Sequence, residues 1–235
     1  MRANLSWEPQ RRRVALLSLL PALLIMAWLS FAPSNASAAP AELWTECLPG
    51  SGAGQCSNPR GIAANPENGR LYVADQGNGR VLELDALGNF IKAWGWGVDT
   101  GAAALEVCTP GSGCQAAPFG SNTGQLSALP MGVAVDSAGN VYVEDRGLLG
   151  NPSVRVQKYG SDGSFILMFG GGVNKTKVQE GGKVDSEENL CPFDPGDECQ
   201  AGTIGNGQGQ FGSWEIGSHI AIDSKGTATD ADDDV

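Results

Sequence analysis

Between Asn58 and Gly97 four short apolar runs are separated by three turn-forming segments, and a chain punctuated in this way has few folds open to it. The runs are Gly61-Ile62-Ala63-Ala64, Leu71-Tyr72-Val73-Ala74, Val81-Leu82-Glu83-Leu84 and Phe90-Ile91-Lys92-Ala93-Trp94. Asn65–Gly69, Gln76–Gly79 and Ala86–Asn89 lie between them and are rich in residues that accept φ > 0 or preset a turn. Such runs, with their β-branched and aromatic side chains, predict a four-stranded antiparallel meander. One meander cannot bury both of its faces, so it matters whether the pattern recurs.

It returns in residues 130–173. Gly132-Val133-Ala134-Val135 answers the first run, and Val141-Tyr142-Val143-Glu144-Asp145 answers Leu71-Tyr72-Val73-Ala74-Asp75. Arg155-Val156 matches Arg80-Val81, and Phe165–Gly170 matches Phe90–Gly95. A third copy opens at Ile220-Ala221-Ile222-Asp223. A four-strand unit recurring at roughly 45 residues is the signature of propeller blades. The expected fold is all-β: β-propeller blades, two complete and one partial, forming an incomplete propeller. The 34 glycines and 13 prolines suit such a turn-rich chain.

At these residues the chain resembles the NHL-repeat family of β-propellers, of the secreted bacterial type and cut short in its third repeat. The family pattern runs Gly-Gln-Phe, Pro-x-Gly-Val/Ile-Ala-Val-Asp, Gly-Asn-Val-Tyr-Val-Ala-Asp, Asn-x-Arg-Val/Ile and Gly-x-Phe. Here Gly124-Gln125-Leu126 and Gly209-Gln210-Phe211 match the first element. Pro130–Asp136 matches the second, Gly139–Val143 the third, and Asn78–Val81 and Gly88–Phe90 the last two. The repeated positions are Gly61, Tyr72, Asp75 and Arg80, with Gly132, Tyr142, Asp145 and Arg155. The resemblance implies a fold and says little of activity, because such folds host unrelated functions.

The chain divides accordingly. Residues 1–38 read as a signal peptide, with Arg2 and Arg11–Arg13 ahead of the apolar run Val14–Leu29 and Ala36-Ser37-Ala38 at the cleavage site. An uncleaved anchor is the competing reading, although a run of about 16 residues containing Pro21 falls short of the ~20 that span a bilayer. An N-terminal Cys loop (39–58), the first blade (59–97), a Cys-containing insertion (98–129) and the second blade (130–173) follow. An acidic Cys-containing insertion (174–210) and the start of a third blade (211–235) complete the chain. Two blades and a start do not close a ring of typically 4–8, so either the chain is a fragment or it self-associates. Lys175–Asn189, the most polar stretch, is expected to be poorly ordered.

The formal charge is −11. Loss of residues 1–38 leaves 11 basic against 25 acidic side chains, or −14. Such a surface repels phosphate backbones and argues against nucleic acid as a partner. The six cysteines form local pairs, Cys47/Cys56, Cys108/Cys114 and Cys191/Cys199, one ahead of each repeat. An even count in an exported chain, laid out one pair per repeat, predicts nearest-neighbour disulfides among the 15 connectivities possible. Zinc is the rival reading, but it would call for closer cysteine spacing or histidines.

Strand alternation places the second-to-third-strand turns and the interblade connections on one face of the disc, and the remaining tight turns on the other. Every enlargement, namely the three Cys loops and the hairpin Arg146–Ser153, falls on the first face. Loops on a rigid scaffold carry binding residues, so that face is the candidate binding surface.

Asp75 and Asp145 end equivalent strands ahead of Arg80 and Arg155. One reading is a ring of carboxylates holding Ca²⁺. The other is structural, each Asp accepting N–H groups of the adjoining turn while the Arg packs across it. Glu144 stands where the first blade has Ala74 and is the more distinctive Ca²⁺ candidate. His219 is the chain's single histidine, and no triad or metal-ligand spacing surrounds it. Asn174-Lys175-Thr176 is a sequon.

No residue here identifies a reaction and no cofactor is implied beyond a possible Ca²⁺. The expected function is an exported, non-catalytic binding or scaffolding module whose partner is a protein or glycan, without a stable membrane span after signal cleavage. The alternative is a Ca²⁺-dependent lactonase- or lyase-type propeller enzyme with Glu144 and Asp145 at the channel mouth.

Overall fold

The computed structural model describes residues 47–147, 154–181, 184–212 and 219–223. The expected signal peptide, Trp214 and the acidic end Asp230–Asp234 lie outside these residues, as do residues 148–153 of the long hairpin. The elements are β1 (Pro59–Ala64), β2 (Leu71–Asp75), a 3-10 turn (Gln76–Asn78), β3 (Arg80–Leu84), β4 (Phe90–Trp96) and β5 (Leu105–Cys108). The second set is β6 (Leu129–Val135), β7 (Val141–Arg146), β8 (Val154–Tyr159), β9 (Phe165–Phe169), α1 (Lys175–Glu180), α2 (Asp185–Glu188) and β10 (Leu190–Cys191).

Two antiparallel sheets result, β1-β2-β3-β4-β5 and β6-β7-β8-β9-β10, each a meander in sequence order. Equivalent residues pair in both, Asp75 with Arg80 and Asp145 with Arg155. The expected blades therefore form, with one correction: each sheet has five strands, not four. The Cys insertions supply the fifth. Val107 of β5 pairs with Trp94, and Cys191 of β10 pairs with Met168. The outer strands β4 and β9 would otherwise present a row of unpaired backbone groups, and the insertions satisfy them.

A second correction concerns Lys175–Asn189, which carries α1 and α2 rather than irregular chain. Asn174 caps α1 by accepting the Lys177 N–H, and it donates to Leu190 O and Asp197 Oδ2. The Lys177 ammonium is held by Asp194 and Asp197. Polar composition signals disorder only where polar groups lack partners, and here they have them. The sequon asparagine is itself fully buried, its amide spent on these bonds.

The blades stack face to face. Tyr72, Ala74, Val81 and Trp94 of the first sheet meet Val133, Val141, Val143 and Tyr159 of the second. Trp94 packs edge-on against Tyr72 at 6.1 Å and tilted against Tyr159 at 6.2 Å. The far face of the second blade carries Ala134, Tyr142 and Val156, against which Ile220 and Ile222 of the third copy pack. Innermost strands approach so closely that Gly61 has no room for a side chain. A Cβ there would lie 2.3 Å from Met131 O. The fit at Gly132 is less tight, a Cβ there lying 3.1 Å from a methyl of Ile220.

The chain's three tyrosines are all buried, Tyr72 and Tyr159 between the two sheets and Tyr142 on the far face of the second. Burial, reinforced by Glu83, pushes the Tyr72 phenol up to about 12. Burial raises Tyr142 and Tyr159 as well. Folded values above the unfolded value of about 10 mean that this stability is complete below pH ~10 and is lost as pH climbs toward ~12. Tyrosinate absorbance is accordingly expected to appear together with loss of the near-ultraviolet dichroism. A phenol titrating near its ordinary value in the still-folded protein would contradict this packing.

Candidate functional site

Each blade contains the same buried clasp. Asp75 ends β2 fully buried; its Oδ1 accepts the Ser57 N–H at 2.7 Å, and its Oδ2 accepts Asn78 Nδ2 at 2.7 Å and Arg80 Nε at 3.0 Å. Arg80 then donates to Ser51 O and Gln115 O through Nη1, and to Gly52 O and Gln55 O through Nη2. All five guanidinium N–H groups are used. Three of the carbonyls belong to the Cys47–Cys56 loop ahead of the blade, and one follows Cys114. Burial pushes the Asp75 carboxyl up, against the pull of Ser57, Asn78 and Arg80.

The second blade repeats the device. Asp145 accepts from Ser127 N at 2.6 Å, Ser127 Oγ, Gln157 Nε2 and Arg155 Nε at 2.9 Å. Arg155 reaches back to Ser121 O and Gln125 O and forward to Gln200 O, next to Cys199. The arginine thus ties the connection entering a blade to the connection leaving it. Both carboxylates are engaged by protein donors, and a cation at either would have to displace an arginine. The backbone N–H they accept comes from the serine two residues ahead of β1 or β6, 18 positions back, not from the adjoining turn as expected.

The clasps hold the elaborated face together. Cys47–Cys56, Cys108–Cys114 and Cys191–Cys199 are joined as disulfides. Each connection that contains a Cys loop carries a glutamine that accepts an N–H three residues earlier, Gln55 from Gly52 inside the first loop, Gln125 from Asn122 and Gln210 from Gly207 beyond the other two. A glycine with φ near +70° precedes each glutamine, at Gly54, Gly124 and Gly209. Sequence reasoning found the second and third of these Gly-Gln pairs and missed the first, where Cys56 replaces the following apolar residue. Leu48, Phe119 and Phe193, all more than two-fifths exposed, project from the loops.

Residues 57–84 match the family model of the NHL repeat. Residues 57–84 thus carry an NHL repeat. The match runs from Ser57, whose N–H meets Asp75, through β1, β2 and β3 with the Asp75–Arg80 clasp. The second blade carries Gly132, Tyr142, Asp145 and Arg155 in the equivalent strands β6, β7 and β8. No curated protein matches the chain.

The remaining singled-out residues meet elsewhere. Glu144 and His219 line one cavity between the second blade and the third copy, on the face of β7 opposite Asp145. A neighbouring cavity of about 460 Å³ is walled by equivalent positions of three innermost segments, Gly61, Gly132 and His219 among them. Tyr142 donates to Asp136 Oδ2, which also pairs with Lys158 Nζ at 3.3 Å. Burial works against the Lys158 ammonium, but Tyr142 and Asp136 outweigh it and carry its pKa above the ordinary value. The first blade reverses the charge, with Glu83 opposite Tyr72 and Lys158 opposite Tyr142.

Proposed function

We propose that this NHL-repeat chain is an exported, non-catalytic binding or scaffolding module that meets a protein or glycan partner through its Cys-loop face. The observation carrying this reading is the clasp: Arg80 and Arg155 each fix the loops on both sides of their blade to a buried carboxylate. A surface organised at that depth is preorganised, which lowers the ordering cost of association. Exposed Leu48, Phe119 and Phe193 supply apolar anchors of the kind that dominate interface energetics. Three disulfides suit an oxidising compartment, as the signal-like N-terminus does.

The test is site-specific photo-crosslinking in cells that export the chain. A photoreactive aromatic residue at Phe119 or Phe193 is expected to give discrete adducts. The same residue at Leu87, 74 % exposed in a turn of the opposite face, is expected to give none. Adducts arising only from Leu87, or equally from all three positions, would refute the assignment of the face. The Ca²⁺-enzyme alternative retains Glu144, whose carboxylate accepts no hydrogen bond among the described residues. Calcium calorimetry separates it, since a binding isotherm abolished by Glu144→Gln is expected only on that reading.

A further inference from the structure

Glu144 stands apart from the clasps and from the loop face. Its side chain is 5 % exposed, and neither oxygen accepts a hydrogen bond among the described residues. Arg146 Nε forms an ion pair with Oε1 at 3.2 Å. Oε2 lies beside Gly132, 3.3 Å from where a Cβ would be, so the glycine leaves room for it. A buried carboxylate oxygen without a donor is costly, and the first blade avoids the cost with Ala74 at the same position. The cavity that Glu144 lines measures about 210 Å³, and Val156, Phe169, Phe211 and Ile220 make most of its wall.

This combination selects a ligand class. The carboxylate repels anions. A sugar would meet polar side chains only at Glu144 and His219 among the described lining residues and would leave its other hydroxyl groups unpaired against the apolar wall. A bare divalent cation takes about six or more oxygen ligands, and Glu144 is the one carboxylate among the lining residues described. An organic ammonium fits this chemistry: its charge faces Oε2 in a poorly hydrated site, its methyl or methylene groups meet aliphatic side chains, and Phe169 and Phe211 supply aromatic rings in the lining. The volume lies below the ~300 Å³ of the smallest drug-sized pockets, which restricts the ligand to a small one. We propose that the cavity between the second blade and the third copy binds a small free organic ammonium, with Glu144 as its counter-ion and Phe169 and Phe211 as its aromatic walls. Arg146 neutralises Oε1 and leaves Oε2 for the ligand.

The test uses choline as the probe and its uncharged isostere 3,3-dimethylbutan-1-ol as the control, titrated into the full chain and read by the methyl resonances of Val156 and Ile220. Choline is expected to shift those resonances with a Kd of about 1 mM, and the isostere to bind at least about tenfold more weakly. Glu144→Gln is expected to lose at least about tenfold in choline affinity. If that variant does not fold, Phe169→Leu, which removes a ring while keeping apolar bulk, is expected to lose affinity for choline and not for the isostere. Equal binding of choline and isostere, or no shift at these methyls up to about 20 mM choline, overturns the proposal. Tighter binding of Nα-acetyl-lysine methylamide than of choline also overturns it, because the site would then serve a partner's lysine. None of these outcomes bears on the Cys-loop face.

Discussion

Arg155→Ala is expected to lower the stability of the chain by about 3–5 kcal/mol, the usual cost of leaving one member of a buried ion pair without the other. The pair as such is not the reason, since a buried salt bridge compared with an apolar replacement is often neutral. What the substitution removes is a guanidinium with no exposed surface that serves Asp145 and three backbone carbonyls at once. The carbonyls of Ser121, Gln125 and Gln200 then lose a charged donor. Arg155→Lys is expected to lose nearly as much, because an ammonium has three donors on a flexible stem and cannot span these directions. The urea midpoint should fall with little change in slope, and hydrogen exchange should quicken at the loops on both sides of the blade. A loss below about 1 kcal/mol, or exchange that quickens on one side only, would show that the arginine does not join the two connections.

Trp94→Ala is expected to cost a further 3–5 kcal/mol in a separate variant, by the transfer term and the cavity left behind. Trp94 is 1 % exposed and touches Tyr72 of its own blade and Tyr159 of the next. Its indole N–H has no acceptor among the described residues. Trp94→Phe therefore removes a buried unsatisfied donor along with one ring, and its cost is expected to stay under about 1.5 kcal/mol. Because each blade buries its face only against its neighbour, the alanine variant should also loosen the coupling between blades and broaden the melt. Equal costs for phenylalanine and alanine would place the energy in the indole N–H and not in the interface.

Much of the fold is legible in the chain's own residues. The doubled pattern around Tyr72 and Tyr142 marks strands that repeat, and a repeated strand with one buried face requires a repeated neighbour. The Asp75–Arg80 and Asp145–Arg155 pairs are legible as structural pairs, while their partners are not. Ser57 and Ser127 lie 18 residues from the carboxylates they meet, and no local pattern records such a distance. The strands β5 and β10 are illegible for a related reason. Leu105–Cys108 and Leu190-Cys191 are too short to signal by alternation, and they are strands only because an unpaired edge lies beside them.

The amino-acid sequence alone determined the repeat, the all-β class, the pairing of its cysteines and the glycines at Gly61 and Gly132, because each of these leaves a local trace in periodicity, spacing or turn chemistry. Only the tertiary structure decided that Arg80 and Arg155 tie the loops on both sides of a blade to buried carboxylates, that α1 and α2 form in the polar insertion, and that Glu144 lines a cavity with Phe169 and Phe211. These depend on which backbone groups and side chains distant segments bring together, and satisfaction of buried polar groups is a property of the whole packing and not of any stretch of chain.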